Sequence, residues 1–285
     1  LYYEQADVYI RVNGTNNTRA MTTIPAKRVQ QDRAAKRIWL DKRLGRAAEG
    51  TMKWVGTQIP TDASAQEANM SLEEYEAFVY GATFCDREDP VAEWGKISAM
   101  QQKKVDWLKG KQHVRLHGPN VDLRLSITGR TFINSDGHKN MPSGEIFTGP
   151  VEESVTGWMR FDYPSIVGGR AVKGIELKFE QGRVVEAHAE ENDDLLQAQL
   201  DTDAGSRYLG EFAIGTNFGI QRFTGSILFD EKIGGTVHVA IGKGYPETGS
   251  KNDSAVHWDM ICDMRHDSTI HVDDELFYQN GEFVV

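Results

Sequence analysis

Cysteine is scarce: the only two, Cys85 and Cys262, lie far apart in sequence. Two such residues make no disulfide framework, and the usage points to a reducing cytoplasm. Cys262 follows Met260 and Ile261, a setting for a buried small residue rather than a reactive nucleophile. Long hydrophobic runs are also missing. No stretch approaches the roughly 18 apolar residues of a membrane helix, so no membrane partner is expected. Basic charge is in deficit: 32 Lys and Arg face 42 Asp and Glu, a net charge of −10. Phosphate binding needs a basic surface, so nucleic acid is excluded as the main partner. The opening Leu-Tyr-Tyr-Glu-Gln-Ala-Asp-Val has no Met and no basic or apolar targeting region. It reads like the middle of a domain, and an N-terminal truncation is expected.

What is present is a soluble globular composition. The chain has 285 residues, 39% hydrophobic and 26% charged, enough for one large domain or two ordinary ones. Ala6 to Val12 alternates and predicts a strand. Pro25 opens a helix to about Ala48 that carries Lys27, Arg28, Arg33, Lys36, Arg37, Lys42, Arg43 and Arg46. That basic face reads as solvated, with a substrate-steering patch as the sharper alternative. Trp54 to Ile59 predicts a second strand. Ser71 and Glu74 form a capping box for a helix to about Thr83, and Asp89-Pro90 opens another to about Lys109. This alternation implies an α/β unit with a parallel sheet. After Gly110 the pattern changes to short alternating strands from Val114, Val121, Arg130, Gly157, Ile175 and Arg183. Asp193 to Leu209 predicts the main helix of this half. Strands follow at Ile227 to Asp230, Thr236 to Ile241 and Val256 to Ile261, then a hairpin through Ile270 to Val272 and Leu276 to Tyr278. A boundary near Lys111 divides the chain. Residues 1–111 read as the C-terminal part of an N-terminal α/β domain, and residues 112–285 as a strand-rich α+β domain.

The chemistry concentrates between Tyr208 and Asp259. Glu211, Glu231, His238, His257 and Asp259 fall within about fifty residues, in short apolar segments. Such groups are costly in an apolar strand unless paired, and a bound metal is an obvious partner. Imidazoles with carboxylates suit zinc, cobalt, manganese or iron. His257 and Asp259 are two residues apart, on one face of a strand. His238, in Thr-Val-His-Val-Ala, aims from a second strand, and Glu145 follows the turn Pro142-Ser-Gly. Taken alone, His238 reads sooner as a satisfied core histidine than as a ligand. His113, His117, His138, His188, His266 and His271 have no motif around them and are expected mostly at the surface. Gly234-Gly235 and Gly242-x-Gly244 lack phosphate-loop spacing and read as turns near the site.

Five ordered segments carry a resemblance: Met141 to Thr148, Leu209 to Asn217, Phe229 to His238, Gly244 to Gly249 and Ser254 to Ile261. Together they resemble the metallopeptidase family named for aminopeptidase T, aminopeptidase S and PepS. Members of that family carry additional residues before this chain's first. The resemblance implies that Glu145, Glu211, His238, His257 and Asp259 bind two divalent metal ions, zinc or cobalt, with Glu211 as the bridge. It makes residues 112–285 the metal-binding catalytic domain. It gives Glu231 an active-site role, as a further ligand or a proton-transferring carboxylate; the alternative is an exposed acidic turn with Asp230 and Lys232. Tyr245 matches a tyrosine near the family's metals and would donate to the oxyanion, with a packing aromatic as the alternative. The implied reaction is attack of a metal-activated water on peptides with a free N-terminus. A cytoplasmic homodimer is implied as well. Two other functions remain open: a mononuclear iron ring-cleaving dioxygenase of the dihydroxypyridine type, holding iron by two histidines and an aspartate, and a non-catalytic metal-binding homologue. Glu145 and Glu211 in intact motifs favour the peptidase.

Overall fold

The computed structural model describes residues 2–285, with backbone alone at 26, 27, 29, 30, 33, 34, 37, 40, 41, 44 and 48. The strands Val8–Asn13 and Lys53–Gln58 pair in parallel, joined by the crossover helix Ala26–Ala48. Of that helix's basic residues, the side chains of Lys27, Arg33 and Arg37 lie outside the described residues. Arg28, Lys36 and Lys42 are exposed. Arg43 lies over the Tyr9 and Trp54 rings, and Arg46 donates to the carbonyls of Tyr3 and Ala6, so two of the charges serve the local fold. The capping box forms: Ser71 Oγ accepts from Glu74 N while the Glu74 carboxylate accepts from Ser71 N, starting the helix Leu72–Ala82. Asp89 caps the helix Pro90–Leu108.

From His113 onward two antiparallel sheets face each other. One has eight strands and runs from Arg183–His188 at one edge, through Val121–Ser126 and His113–Gly118, to Glu282–Phe283 at the other. The predicted hairpin near the C-terminus is there, Thr269–Val272 against Glu275–Gln279. The other sheet has five strands, in the order His257–Asp263, Thr236–Gly242, Leu209–Gly215, Glu145–Thr148, Ile133–Ser135. Inner faces of both sheets, including Leu116, Leu123, Phe212, Val239 and Met260, merge into one apolar core. Cys262 is buried in it, and Cys85 is exposed. No helix among the described residues is long and apolar enough to cross a membrane.

Three elements differ from the sequence expectation. The strand expected from Arg130 begins only at Ile133, as Ile133–Ser135, after a turn in which Arg130 N donates to the Ile127 carbonyl. The helix expected over Asp193 to Leu209 ends at Leu200, and Leu209–Gly215 is a strand. Asp203 explains the break: its carboxylate accepts from Gly205 N and Ser206 N, and also from Ser254 Oγ and Ala255 N, so side-chain bonds replace helical ones. Ile227–Asp230 is a helical turn rather than a strand. Its buried Asp230 folds the preceding loop back, accepting from Thr224 N and Thr224 Oγ1, both at 2.8 Å.

Several contacts cross the position 111/112. The short strand Asn140–Met141 completes the parallel sheet of the first segment. Asn217 Nδ2 donates to the carbonyls of Ala82 and Ser143, and Thr216 Oγ1 donates to Gln101 Oε1. A second apolar cluster joins Tyr75 and Val79 to Phe229 and Ile233.

Candidate metal centre

The central strands of the five-stranded sheet build the site. Register sets Ala240 opposite both Glu211 and Asp259, Ala213 opposite His238, and Gly215 opposite Glu145. Directly opposed residues share a face. Glu211, His238, His257, Asp259 and Glu145 therefore project from one side, and Ala213, Gly215, Ala240 and Gly242 between them leave room. The other side carries Phe212, Ile214, Val237, Val239, Trp258 and Met260 into the core. Two glycines set up this face. Gly144, with φ +111°, has no space for a Cβ, which would lie 2.7 Å from Asn217 Cβ. A Cβ on Gly210 would lie 2.3 Å from the carbonyl oxygens of Gly242 and Lys243.

The side chains converge as three overlapping groups: Glu145, Glu211 and His238; Glu211, His257 and Asp259; and Glu231, His238 and Asp259. Within each group, one donor atom per residue lies within 4.8 Å of the others. His238 Nε2 is 3.4 Å from Glu145 Oε2 and 3.6 Å from Glu211 Oε1. His257 Nε2 is 3.5 Å from Glu211 Oε2 and 3.6 Å from Asp259 Oδ1. These separations are long for hydrogen bonds. They match a metal shell: two ligands at about 2.1 Å from a tetrahedral ion lie about 3.4 Å apart. Glu145 Oε2 is buried with no hydrogen-bond partner, a donor atom held ready for a cation. His257 Nδ1 lies 2.7 Å from the Lys243 carbonyl, and donation there leaves the Nε2 lone pair facing the carboxylates. The residues fit a divalent metal.

Tyr245 stands beside this cluster, its ring packed on Phe147 and edge-on to His257, with part of its surface exposed. The structure thus brings together all seven residues singled out from the sequence. The exposed-turn alternative for Glu231 fails. Asp230 and Lys232 beside it are buried, and the Glu231 side chain is 15% exposed. Lys232 is the neighbour that sequence reasoning passed over. Its ammonium pairs with Glu231 and lies 3.8 Å from Glu145 Oε1. The available signal was its place between Phe229 and Ile233, both of which point into a core. Of the remaining histidines, His271 is half-buried and the others are exposed.

Protons occupy the site when no cation does. Burial raises Glu145 and Asp259 above the usual carboxylate range. Burial opposes charge on His238, but the Glu211 and Glu145 carboxylates outweigh it and lift the imidazole to about 9. His257 is raised too, against burial, chiefly by Asp259 and Glu211. Metal ligation needs these groups deprotonated. Each folded pKa is raised, so protons compete up to the highest of them. Metal affinity is therefore expected to climb with pH from the carboxylate range through about 9, with proton release on binding. Titration calorimetry in buffers of different ionisation enthalpy measures this; affinity flat from acid to pH 9 would contradict it.

A family model described as thermophilic metalloprotease (M29) matches residues 1–283. Aminopeptidase T of Thermus aquaticus is 30% identical over 290 residues, covering 91% of this chain and 71% of its own length. The curated aminopeptidases that align are longer than this chain, which spans 58% to 71% of them. The solved structure of wild-type AmpT from Thermus thermophilus superposes with a TM-score of 0.86 at 24% identity, over 99% of this chain and 78% of that one. The 2,5-dihydroxypyridine dioxygenase of Pseudomonas putida KT2440 gives a TM-score of 0.55 at 13% identity, covering 99% of this chain and 92% of that one. At these identities the two structures speak for a shared mixed α/β, strand-rich fold alone.

Proposed function

The chain belongs to the thermophilic metalloprotease family M29, and from that premise we propose that it is a metal-dependent aminopeptidase releasing N-terminal residues from peptides. The observation that carries this reading is the pair of three-residue donor groups sharing Glu211, one oxygen toward each imidazole. We assign Glu145, Glu211 and His238 to one ion and Glu211, His257 and Asp259 to the other. Zinc or cobalt suits these donors. Such a centre supplies a water of lowered pKa and a Lewis acid for the scissile carbonyl.

The chain's own residues do the rest. Glu231 takes the proton of the attacking water and returns it to the leaving amine. Burial works against its charge, yet Lys232 holds its carboxyl below the usual range, so it is ionised and ready to act as a base. Tyr245 donates its hydroxyl to the carbonyl oxygen as negative charge develops there. The apolar sheet face beneath keeps water from the far side of the ligands.

The finer parts of the reading are a homodimer, a cytoplasmic setting, and a division near 111/112 into an α/β segment and a catalytic domain. The family resemblance supports the dimer, two separated cysteines the compartment, and the change from parallel to antiparallel pairing the division. A ring-cleaving dioxygenase would hold one iron on two histidines and an aspartate, leaving Glu145 and Glu211 without a task.

Elemental analysis beside kinetics tests the proposal. The purified protein should carry two zinc-type ions per chain and cleave peptides with a free N-terminus but not their acetylated forms. Chelation should abolish turnover, and zinc or cobalt should restore it. One iron per chain would support the dioxygenase. Full peptidase activity in a verified metal-free sample would remove the metal mechanism, and two ions without turnover would leave a non-catalytic homologue.

A further inference from the structure

Lys232 is wholly buried, and its backbone is fixed on both sides: its N–H donates to the Phe229 carbonyl and its carbonyl accepts from Asn217 N. A buried ammonium is costly unless opposed by carboxylates in good geometry. Here it is opposed by Glu231, with which it pairs, and by Glu145 at 3.8 Å. Glu231 stands close to the ligand set, since its carboxylate lies within 4.8 Å of donor atoms of both His238 and Asp259. Distance alone does not keep it from becoming a ligand. On the metalloenzyme reading, on which this inference rests, two divalent ions face Glu145, Glu211 and Asp259 with two neutral imidazoles. That leaves the ions one positive charge in excess, which a free Glu231 would neutralise by binding.

We propose that Lys232 is a positioning residue whose ammonium holds the Glu231 carboxylate out of the metal's ligand set and so preserves it as a base. The lysine then restrains metal affinity while supporting turnover. Removing it releases Glu231 onto an ion. Losing the ammonium also removes a repulsion toward the ions, so affinity is read beside the cobalt-loaded absorption spectrum. An added carboxylate ligand in Lys232→Met, absent from the double variant, marks Glu231 moving onto an ion, and an unchanged spectrum overturns the proposal.

The test is titration of the chelator-stripped full chain with zinc by calorimetry, for the parent, Lys232→Met, Glu231→Gln and the double variant, beside steady-state kinetics. Lys232→Met should bind the weaker ion about tenfold more tightly or better, the scale on which groups around a metal tune affinity. Its kcat should fall about 10²-fold or more, as for a lost general base, with KM changed little. The double variant should return to about the parent's affinity, because the released carboxylate is gone. Equal or weaker zinc affinity in Lys232→Met, or tightening that persists in the double variant, overturns the proposal. Should Lys232→Met not fold, Glu231→Gln decides. Retention of both ions at about the parent's affinity supports the assignment, and loss of one makes Glu231 a ligand and overturns it. A parent that binds no zinc sinks the metalloenzyme reading itself, whatever the variants do.

Discussion

Glu211→Gln is expected to lose metal, and with it nearly all turnover. Glu211 is the residue shared by the two donor groups assigned to the ions, with Oε1 toward His238 and Oε2 toward His257. A carboxylate presents a lone pair to each ion. The amide presents one oxygen and one NH2, whose hydrogens face a cation and repel it. At least one ion per chain should therefore be lost. The affinity change should exceed the roughly 10–100-fold seen when mere supporting groups around a metal are removed. Folding should survive, because the metal-free parent already carries the cost of this buried carboxylate and the amide relieves it. Glu231→Gln is the control. It should keep both ions while kcat falls about 10²- to 10⁴-fold and the acidic limb of the pH–rate profile changes, since that limb reports the base. Metal analysis of both variants decides the roles. Glu211→Gln with full metal content and Glu231→Gln with one ion missing would exchange the two assignments.

Strands were legible where a local pattern marks them, even for Thr236–Gly242, which is buried throughout but rich in β-branched residues. Val121–Ser126 alternates in burial as it alternates in sequence, and His257 and Asp259 declare a shared strand face by their spacing. The strand that carries Glu211 gives no such signal. Leu209–Gly215 is buried at every position, so it has no period, and an expected helix ran into its first residue. The break at Asp203 depends on Ser254 and Ala255, about fifty residues later, which no local reading reaches. The same limit applies to Asn140–Met141, a strand of two residues that exists only because Lys53–Gln58 lies beside it. Lys232 was missed for another reason. A lysine after an acidic pair normally faces water, and only the convergence of Glu145 with Glu231 makes its burial affordable.

Tyr245→Phe is expected to lower kcat about 10²-fold, the scale for one lost oxyanion donor, with metal content unchanged. The ring is held by Phe147, at 5.3 Å between centroids, and by the edge-on His257, at 5.4 Å. Phenylalanine keeps both contacts, so only the hydroxyl is subtracted. That hydroxyl is a donor throughout the working range. Part of the residue is exposed, but desolvation where the side chain enters the site, and then the carboxylates of Glu211 and Asp259, raise its pKa above the ordinary value of 10.0. It follows that any alkaline limb in the pH–rate profile belongs to another group and should persist in the variant. KM should change little, because the neutral carbonyl of bound substrate gains less from the donor than the developing oxyanion does. Tyr245→Leu supplies the contrast by removing the ring as well. If Tyr245 only packs, the Leu variant would lose stability and activity while the Phe variant kept the parent's kcat. An oxyanion donor instead puts the large kinetic loss in the Phe variant itself, and that result would separate a catalytic hydroxyl from a packing ring.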